Sequence, residues 1–412
     1  MKTVNDYAGL TDNERIEAAI RKREGNTVVI PQRRSEIEPE RTWWLLDRAI
    51  LLPSNTTVIL QDCKIKLSDK CRDNFFRSAN CGIGIEEPEP AENIHIKGVG
   101  DSVLEGADHP RATGDASKII ACPCPKNFAG SPNPTFDDLH RHSYGTDAQV
   151  EDETQKGDWR NIGILMAKVS HLSIENIRIV EQHAWAISLE ACSFANLNHI
   201  EFKACMTRII DGAEHNVENQ DGINLRNGCH DVIISDITGT TGDDVIALSA
   251  FASRFKVRKG GELGSTHILG NDWERREKGI RNVIINNVLA YPAGGCSIIR
   301  LNATDGAEIR NVTINNIVDT SPDDFHGNCA VIVGGRPGII GEPGHPYGNQ
   351  REQSLFNITI SNVITNTRDG IWIPGGLTNA SISNVIARSP NVPTVKILRP
   401  DLLVDVIQTG VH

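Results

Sequence analysis

Three aspartates in two short segments carry the residue types and spacing for acid–base chemistry. Asn219-Gln220-Asp221-Gly222-Ile223-Asn224-Leu225 and Gly242-Asp243-Asp244-Val245-Ile246-Ala247-Leu248 set Asp221 and Asp243 22 positions apart. A repeat of about 22 residues is one turn of a stacked β-solenoid. The two segments are therefore expected one coil apart, with carboxylates about 5 Å from each other along the stack. Carboxylates that close repel, so at least one keeps its proton to higher pH. A site then holds an acid and a base together, as hydrolysis of a glycosidic bond requires. In a regular strand adjacent side chains face opposite ways, and one of Asp243 and Asp244 would enter an apolar core. Gly242 predicts a bend that turns both outward. Asp323-Asp324 follows Pro322, has no partner carboxylate one turn away, and reads as a solvated loop.

The elements that must position these residues are legible from a returning phrase. It runs through His171-Leu172-Ser173-Ile174-Glu175-Asn176-Ile177, His230-Asp231-Val232-Ile233-Ile234-Ser235-Asp236-Ile237 and Arg281-Asn282-Val283-Ile284-Ile285-Asn286-Asn287-Val288. It returns around Val312, Ile358 and Ala380. Apolar and polar residues alternate, which predicts half-buried strands. The Asn or Asp before the next aliphatic predicts a tight bend, because it tolerates left-handed backbone angles. Val312 and Ile358 are 46 residues apart, read as two turns, and Ile358 and Ala380 are 22 apart. The 51 residues from Val232 to Val283 likewise read as two turns of about 25, the intervening turn carrying the Asp-Asp pair. Strands at this period without intervening helices predict an all-β chain, a single-stranded right-handed parallel β-helix.

The chain is expected to form one domain over 1–412. Residues 1–105 supply an N-terminal cap and the first coils, 106–158 a loop insertion, and 159–412 the regular coils. The stretch Asp12 to Arg23 has helical apolar spacing with Asp12 as its cap, and closes the open end of the solenoid. Thr27-Val28-Val29-Ile30-Pro31 and Thr57-Val58-Ile59-Leu60 are short strands. The insertion, rich in Pro, Gly, Asp and His, walls a substrate cleft, and the tail from Val392 closes the far end.

A formal net charge of −11 with no Lys/Arg run argues against nucleic acid or an anionic membrane as partner. No apolar run is long enough to span a bilayer. The N-terminal residues lack a secretion signal, so a cytoplasmic location is expected, although a secreted chain with its signal removed would read the same. Of ten cysteines, Cys192, Cys205 and Cys229 lie among apolar residues and read as buried thiols. Cys122-Pro123-Cys124 has no second pair nearby, and neither a metal nor a cofactor is expected.

On these motifs the chain resembles the polygalacturonase-type family of glycoside hydrolases, right-handed parallel β-helix enzymes acting on pectin. That family carries Asn-Thr-Asp-Gly, Asp-Asp about one turn later, Gly-His-Gly, and then Arg-Ile-Lys. Asn219-Gln220-Asp221-Gly222 matches the first except at Gln220, Gly242-Asp243-Asp244 matches the second, and Arg300-Leu301-Asn302 resembles the fourth. The resemblance implies that Asp243 protonates the leaving oxygen while Asp221 and Asp244 activate a water on the opposite face. Such inversion needs acid and base roughly 6.5–9.5 Å apart. It also implies that Arg300 holds a substrate oxygen or carboxylate through its planar fork.

Two departures bear on the substrate. Gly-His-Gly is absent, its nearest candidate being His267, which reads equally as a structural histidine. Asn302 stands where lysine is expected, and an Arg with an amide suits a neutral sugar better than an anionic galacturonate. Asn219 and Trp185 are further candidates for substrate binding, Trp185 either stacking on a sugar or packing in the core. His215, Glu218 and Arg226 flank Asp221, and Trp43-Trp44 reads as packing. The partner implied is a carbohydrate, and nothing in the sequence fixes oligomeric state. A lyase or sugar transferase on the same scaffold stays open, with the three aspartates as a calcium site. So does a non-catalytic carbohydrate-binding solenoid.

Overall fold

A computed structural model describes residues 2–110 apart from 72, 83–84 and 86–87, and residues 159–250 apart from 211 and 218. It also describes residues 268–269, 279–303, 307–334, 354–388 and 392–411. Most of the 106–158 insertion, His267 and Glu218 lie outside these residues. The chain divides into two compact units. One comprises Met1–Ser188, Lys203–Gln220 and Arg258–Gly270, the other Leu189–Phe202, Asp221–Val257 and Asn271–His412. Both are built from the same coil, that of a right-handed parallel β-helix.

In the first unit Thr27–Pro31, Thr56–Gln61, Ala91–Val99 and Val169–Val180 stack in parallel, one per coil. Trp44–Leu46, Lys64–Leu67 and Val103–Glu105 form a second ladder. Ile50–Leu52, Phe76–Ser78 and Ile164–Ala167 form a third. Their alternate side chains, Ile30, Leu46, Ile65, Leu104, Phe76 and Ile164 among them, are fully buried. Each buried aliphatic contributes about 1.5–3 kcal/mol relative to exposure. The predicted helix is Asp12–Arg21, but its cap is Thr11, whose hydroxyl accepts the Glu14 N–H. Asp12 lies one place inside, buried between Arg33 (2.9 Å) and Arg41 (2.5 Å). A carboxylate so paired serves the tertiary structure instead of the helix end. Trp44 is buried, with its indole N–H donating to the Pro31 carbonyl at 2.6 Å.

The second unit has a long and a short ladder. The long one stacks His230–Thr241, Ile280–Pro292, Ile309–Asp319, Leu355–Thr365, Leu377–Ala387 and Leu403–Val411. The short one stacks Ile223–Arg226, Ile246–Ala250, Ser297–Ala303, Cys329–Val333, Asp369–Ile373 and Val395–Ile397. Val232, Val283, Val312, Ile358 and Ala380 stand level, so the phrase marks the same place in every coil.

This register corrects the turn count. Val232 pairs directly with Val283 and Val312 with Ile358, so the spacings of 51 and 46 are single coils. Ile358 to Ala380 shows that 22 residues suffice for one coil. The longer coils carry additional chain after the short-ladder strands Ile246–Ala250 and Cys329–Val333. Parallel ladders fix only where strands meet, and leave the length of the connection free.

The expected bends are present. Asp231, Asn282, Asn311, Asn357 and Asn379 all have φ near +50 to +56°, a region that Asn and Asp adopt at little cost. Level with one another, their side chains form a ladder, each amide donating to the residue one coil earlier at 2.8–2.9 Å. The tail from Val392 supplies the last strand of each ladder, Val395–Ile397 on the short one and Leu403–Val411, most of it exposed, on the long one. Among the described residues, no helix is long and apolar enough to cross a membrane.

Candidate active site

The site is assembled on the short ladder of the second unit, and a glycine makes its first contact possible. A Cβ on Gly222 would lie 2.4 Å from the Val245 carbonyl oxygen and 2.8 Å from the Phe202 ring. Without one, the Gly222 N–H donates to the Asp244 carbonyl at 3.0 Å and the Ile223 N–H to Val245 at 2.9 Å. Ile223 is level with Ile246, a register of 23 residues. Continued back two residues, it sets Asp221 beside Asp244, not beside Asp243 as a 22-residue turn predicts.

The next coil is aligned by Ile246 with Ile299 and by the Val245 N–H donating to the Ser297 carbonyl at 3.1 Å. Continued back, that register sets Asp244 level with Ser297 and Asp243 level with Cys296. At the corner between, buried Thr241 donates its hydroxyl to the Asp243 carbonyl at 2.6 Å.

The three carboxyls have different surroundings. Asp244 is 2% exposed; its Oδ1 accepts the Ser297 N–H at 2.8 Å and its Oδ2 accepts Arg300 Nη1 at 3.1 Å. Asp221 is 6% exposed, with Oδ2 accepting the Asn224 amide at 3.1 Å. Asp243 is half-buried and takes the Asp244 N–H on Oδ1 at 2.8 Å. Desolvation by the surrounding protein and then the charge of Asp244 push its carboxyl above the usual aspartate range. The Cys296 thiol and the Arg300 guanidinium pull the other way. One carboxyl is thus biased toward keeping its proton, and another is tied to a cation.

Of the residues singled out from sequence, Asp221, Asp243, Asp244 and Arg300 are brought together. Asn302 stands two residues beyond Arg300, level with Ser249, and is 1% exposed. Arg226, level with the same Ser249 from the other side, is 3% exposed. Trp185, in the first unit, is 6% exposed, so its surface is used in packing. Asn219 is half-buried with φ 55°. Gln220, the departure from Asn-Thr-Asp-Gly, is an internal clasp in the first unit. Its amide donates to the Gln182 carbonyl at 2.6 Å and accepts the Met206 N–H at 3.0 Å. His215 lies level with Arg208 in a short antiparallel pair of that unit.

Cys296 escaped the sequence reading. In coil order the segment after the Asp-Asp pair is Gly294-Gly295-Cys296-Ser297, so the coil that carries Arg300 also carries a thiol. Aligning Ile246-Ala247-Leu248 with Ile299-Arg300-Leu301 would have found it. One donor atom each from Asp243, Asp244 and Cys296 lies within 4.8 Å of the others, the one such grouping among the described residues. Calcium takes six to eight oxygen ligands, and this set fits it poorly. It includes a sulfur, and both Asp244 oxygens already accept from Ser297 and Arg300.

This architecture is that of known carbohydrate-active β-helices. The polygalacturonase of Erwinia carotovora ssp. carotovora superposes with a TM-score of 0.50 at 12% identity, over 98% of this chain and 92% of its own. A hyperthermoactive exopolygalacturonase from Thermotoga maritima gives 0.50 at 14% identity, over 97% and 87%. A family 28 exopolygalacturonase from Yersinia enterocolitica gives 0.47 at 14%, over 100% and 78%. No family model matches the sequence, and no curated protein does. The similarity to the first two establishes the right-handed parallel β-helix.

Proposed function

We propose that the protein is a glycoside hydrolase cleaving a glycosidic bond in a pectin-like polysaccharide or oligosaccharide, with inversion at the anomeric carbon. The observation that carries this reading is the unequal environment of three stacked aspartates. Asp243, the most accessible of them, is held toward its protonated form, while Asp244 is ion-paired.

In the proposed reaction Asp243 gives its proton to the leaving glycosidic oxygen as the carbon–oxygen bond breaks. Asp221 takes the proton of a water attacking the opposite face. Asp244, within 4.8 Å of Asp243 and so nearer than the acid–base spacing of inversion, anchors Arg300. Arg300, anchored on Asp244, would hold a substrate oxygen or carboxylate through its planar fork. His267 belongs to the proposal through sequence alone. The fold shared with polygalacturonases supports a pectin-type substrate, and Asn302 in the place of a lysine supports a neutral or differently placed sugar beside it.

A panel of neutral and uronic-acid glycans, with the anomer of the first product read by NMR, tests the proposal. Release of the inverted anomer is expected. Unsaturated products absorbing in the ultraviolet, lost on chelation, would make the protein a metal-dependent lyase instead.

A further inference from the structure

Cys296 stands one coil beyond Asp243, and the two are held level by main-chain pairing of the strands that follow them. Its sulfur shares a 4.8 Å cluster with oxygens of Asp243 and Asp244, and its thiol is hydrogen-bonded to the Asp243 carboxyl. Asp243 is thereby gripped from two sides, since Oδ1 also accepts the Asp244 N–H. The charged and titratable groups facing it are Asp244, Arg300 and Cys296, with Asp221 level with Asp244 on the preceding coil.

We propose that Cys296 is a positioning residue for Asp243: its thiol fixes the carboxyl so that its proton points to the leaving oxygen, then donates to the carboxylate that remains. The inference rests on the hydrolase reading. No bond to sulfur forms, and the thiol keeps its proton throughout; the transferred proton passes from Asp243 to the departing oxygen. A thiol is a weak donor, so it steadies the carboxyl without making it a strong acid. A hydroxyl there would stabilise the carboxylate more, and a methyl group not at all.

Opposite shifts in the two directions therefore identify the role. Activity requires protonated Asp243, so it falls as pH rises through that group's titration. In C296A the basic limb of kcat/KM against pH should move up by about 0.5–1 unit, and in C296S it should move down. Limbs of both variants within about 0.2 unit of the unsubstituted protein would overturn the proposal.

A second measurement needs no turnover: the rate of Cys296 alkylation by iodoacetamide near pH 8.5, followed by peptide mass in the unsubstituted protein and in D243N. A neighbouring carboxylate suppresses the thiolate, so the rate should rise about three- to tenfold in D243N. Equal rates overturn the contact, and decide the matter if C296A does not fold. If no glycan is cleaved but the rate rises, the hydrolase reading fails and the thiol–carboxyl contact stands.

Discussion

The two ladders of the second unit are drawn from the same coils, yet they treat level positions in opposite ways. On the long ladder Asp231, Asn282, Asn311, Asn357 and Asn379 repeat one side chain type, each amide bonded to its neighbour one coil back. An amide both donates and accepts, so it can continue such a chain indefinitely. On the short ladder one level column reads Asn224, Ala247, Arg300, Ile332, Trp372 and Lys396. Its inward neighbours, Ile223, Ile246, Ile299, Val331 and Ile371, still repeat. Where the backbone repeats but the side chain does not, the residue serves something particular to its coil. The aspartate cluster and Arg300 sit on the ladder that breaks repetition.

Substitutions on the two ladders should therefore separate turnover from stability. The largest effect is expected for Asp243→Asn, a loss of at least about 10³-fold in turnover on the best substrate, with folding intact by circular dichroism. Full turnover in this variant would remove the acid from the proposed mechanism. Next, Arg300→Met should lower kcat/KM by about 10²-fold, since it removes a charge at the site and the partner of a buried carboxylate. Gly222→Ala should lower unfolding free energy by about 1–3 kcal/mol in denaturant titration, because its methyl group meets the next coil's backbone.

On the repeating ladder, Asn311→Ala should cost only about 1–2 kcal/mol, through two lost amide contacts and a left-handed φ, and leave turnover unchanged. An Asn311 variant with reduced kcat would blur the distinction between the ladders.

The smallest effect is a pH-dependent one. The folded protein holds the Asp243 proton more tightly than the unfolded chain, so between the two titrations stability falls as pH rises. Asp243→Asn removes that loss. The variant should melt at or above the unsubstituted protein near neutral pH, and the gain should vanish below the unfolded aspartate pKa of 3.8.

The coil and its bends were legible because alternation and an Asn at fixed phase are local properties. The three aspartates were legible because their coil has no insertion. Coil count was not, since 51 and 46 residues resemble multiples of a short turn and nothing local distinguishes one long coil from two short ones. The register of 23 instead of 22 follows from aligned core residues, Ile223 with Ile246, not from the aspartates themselves. Cys296 was hidden for the same reason as the coil count, standing 53 positions from Asp243 across a long connection. Asp12 was misplaced as a cap because its true partners, Arg33 and Arg41, are distant in sequence.

The 22-residue coil from Ile358 to Ala380 sets the minimum the scaffold demands. Whatever a coil contains beyond that length is under no obligation to the ladders. Such a chain can lengthen, shorten or exchange the connections that follow Ile246–Ala250 and Cys329–Val333 while Asp221, Asp243 and Asp244 stay where the strands hold them. The ladders and the lengths between them are thus written in separate stretches of the same chain, and can diverge independently among proteins that share this coil.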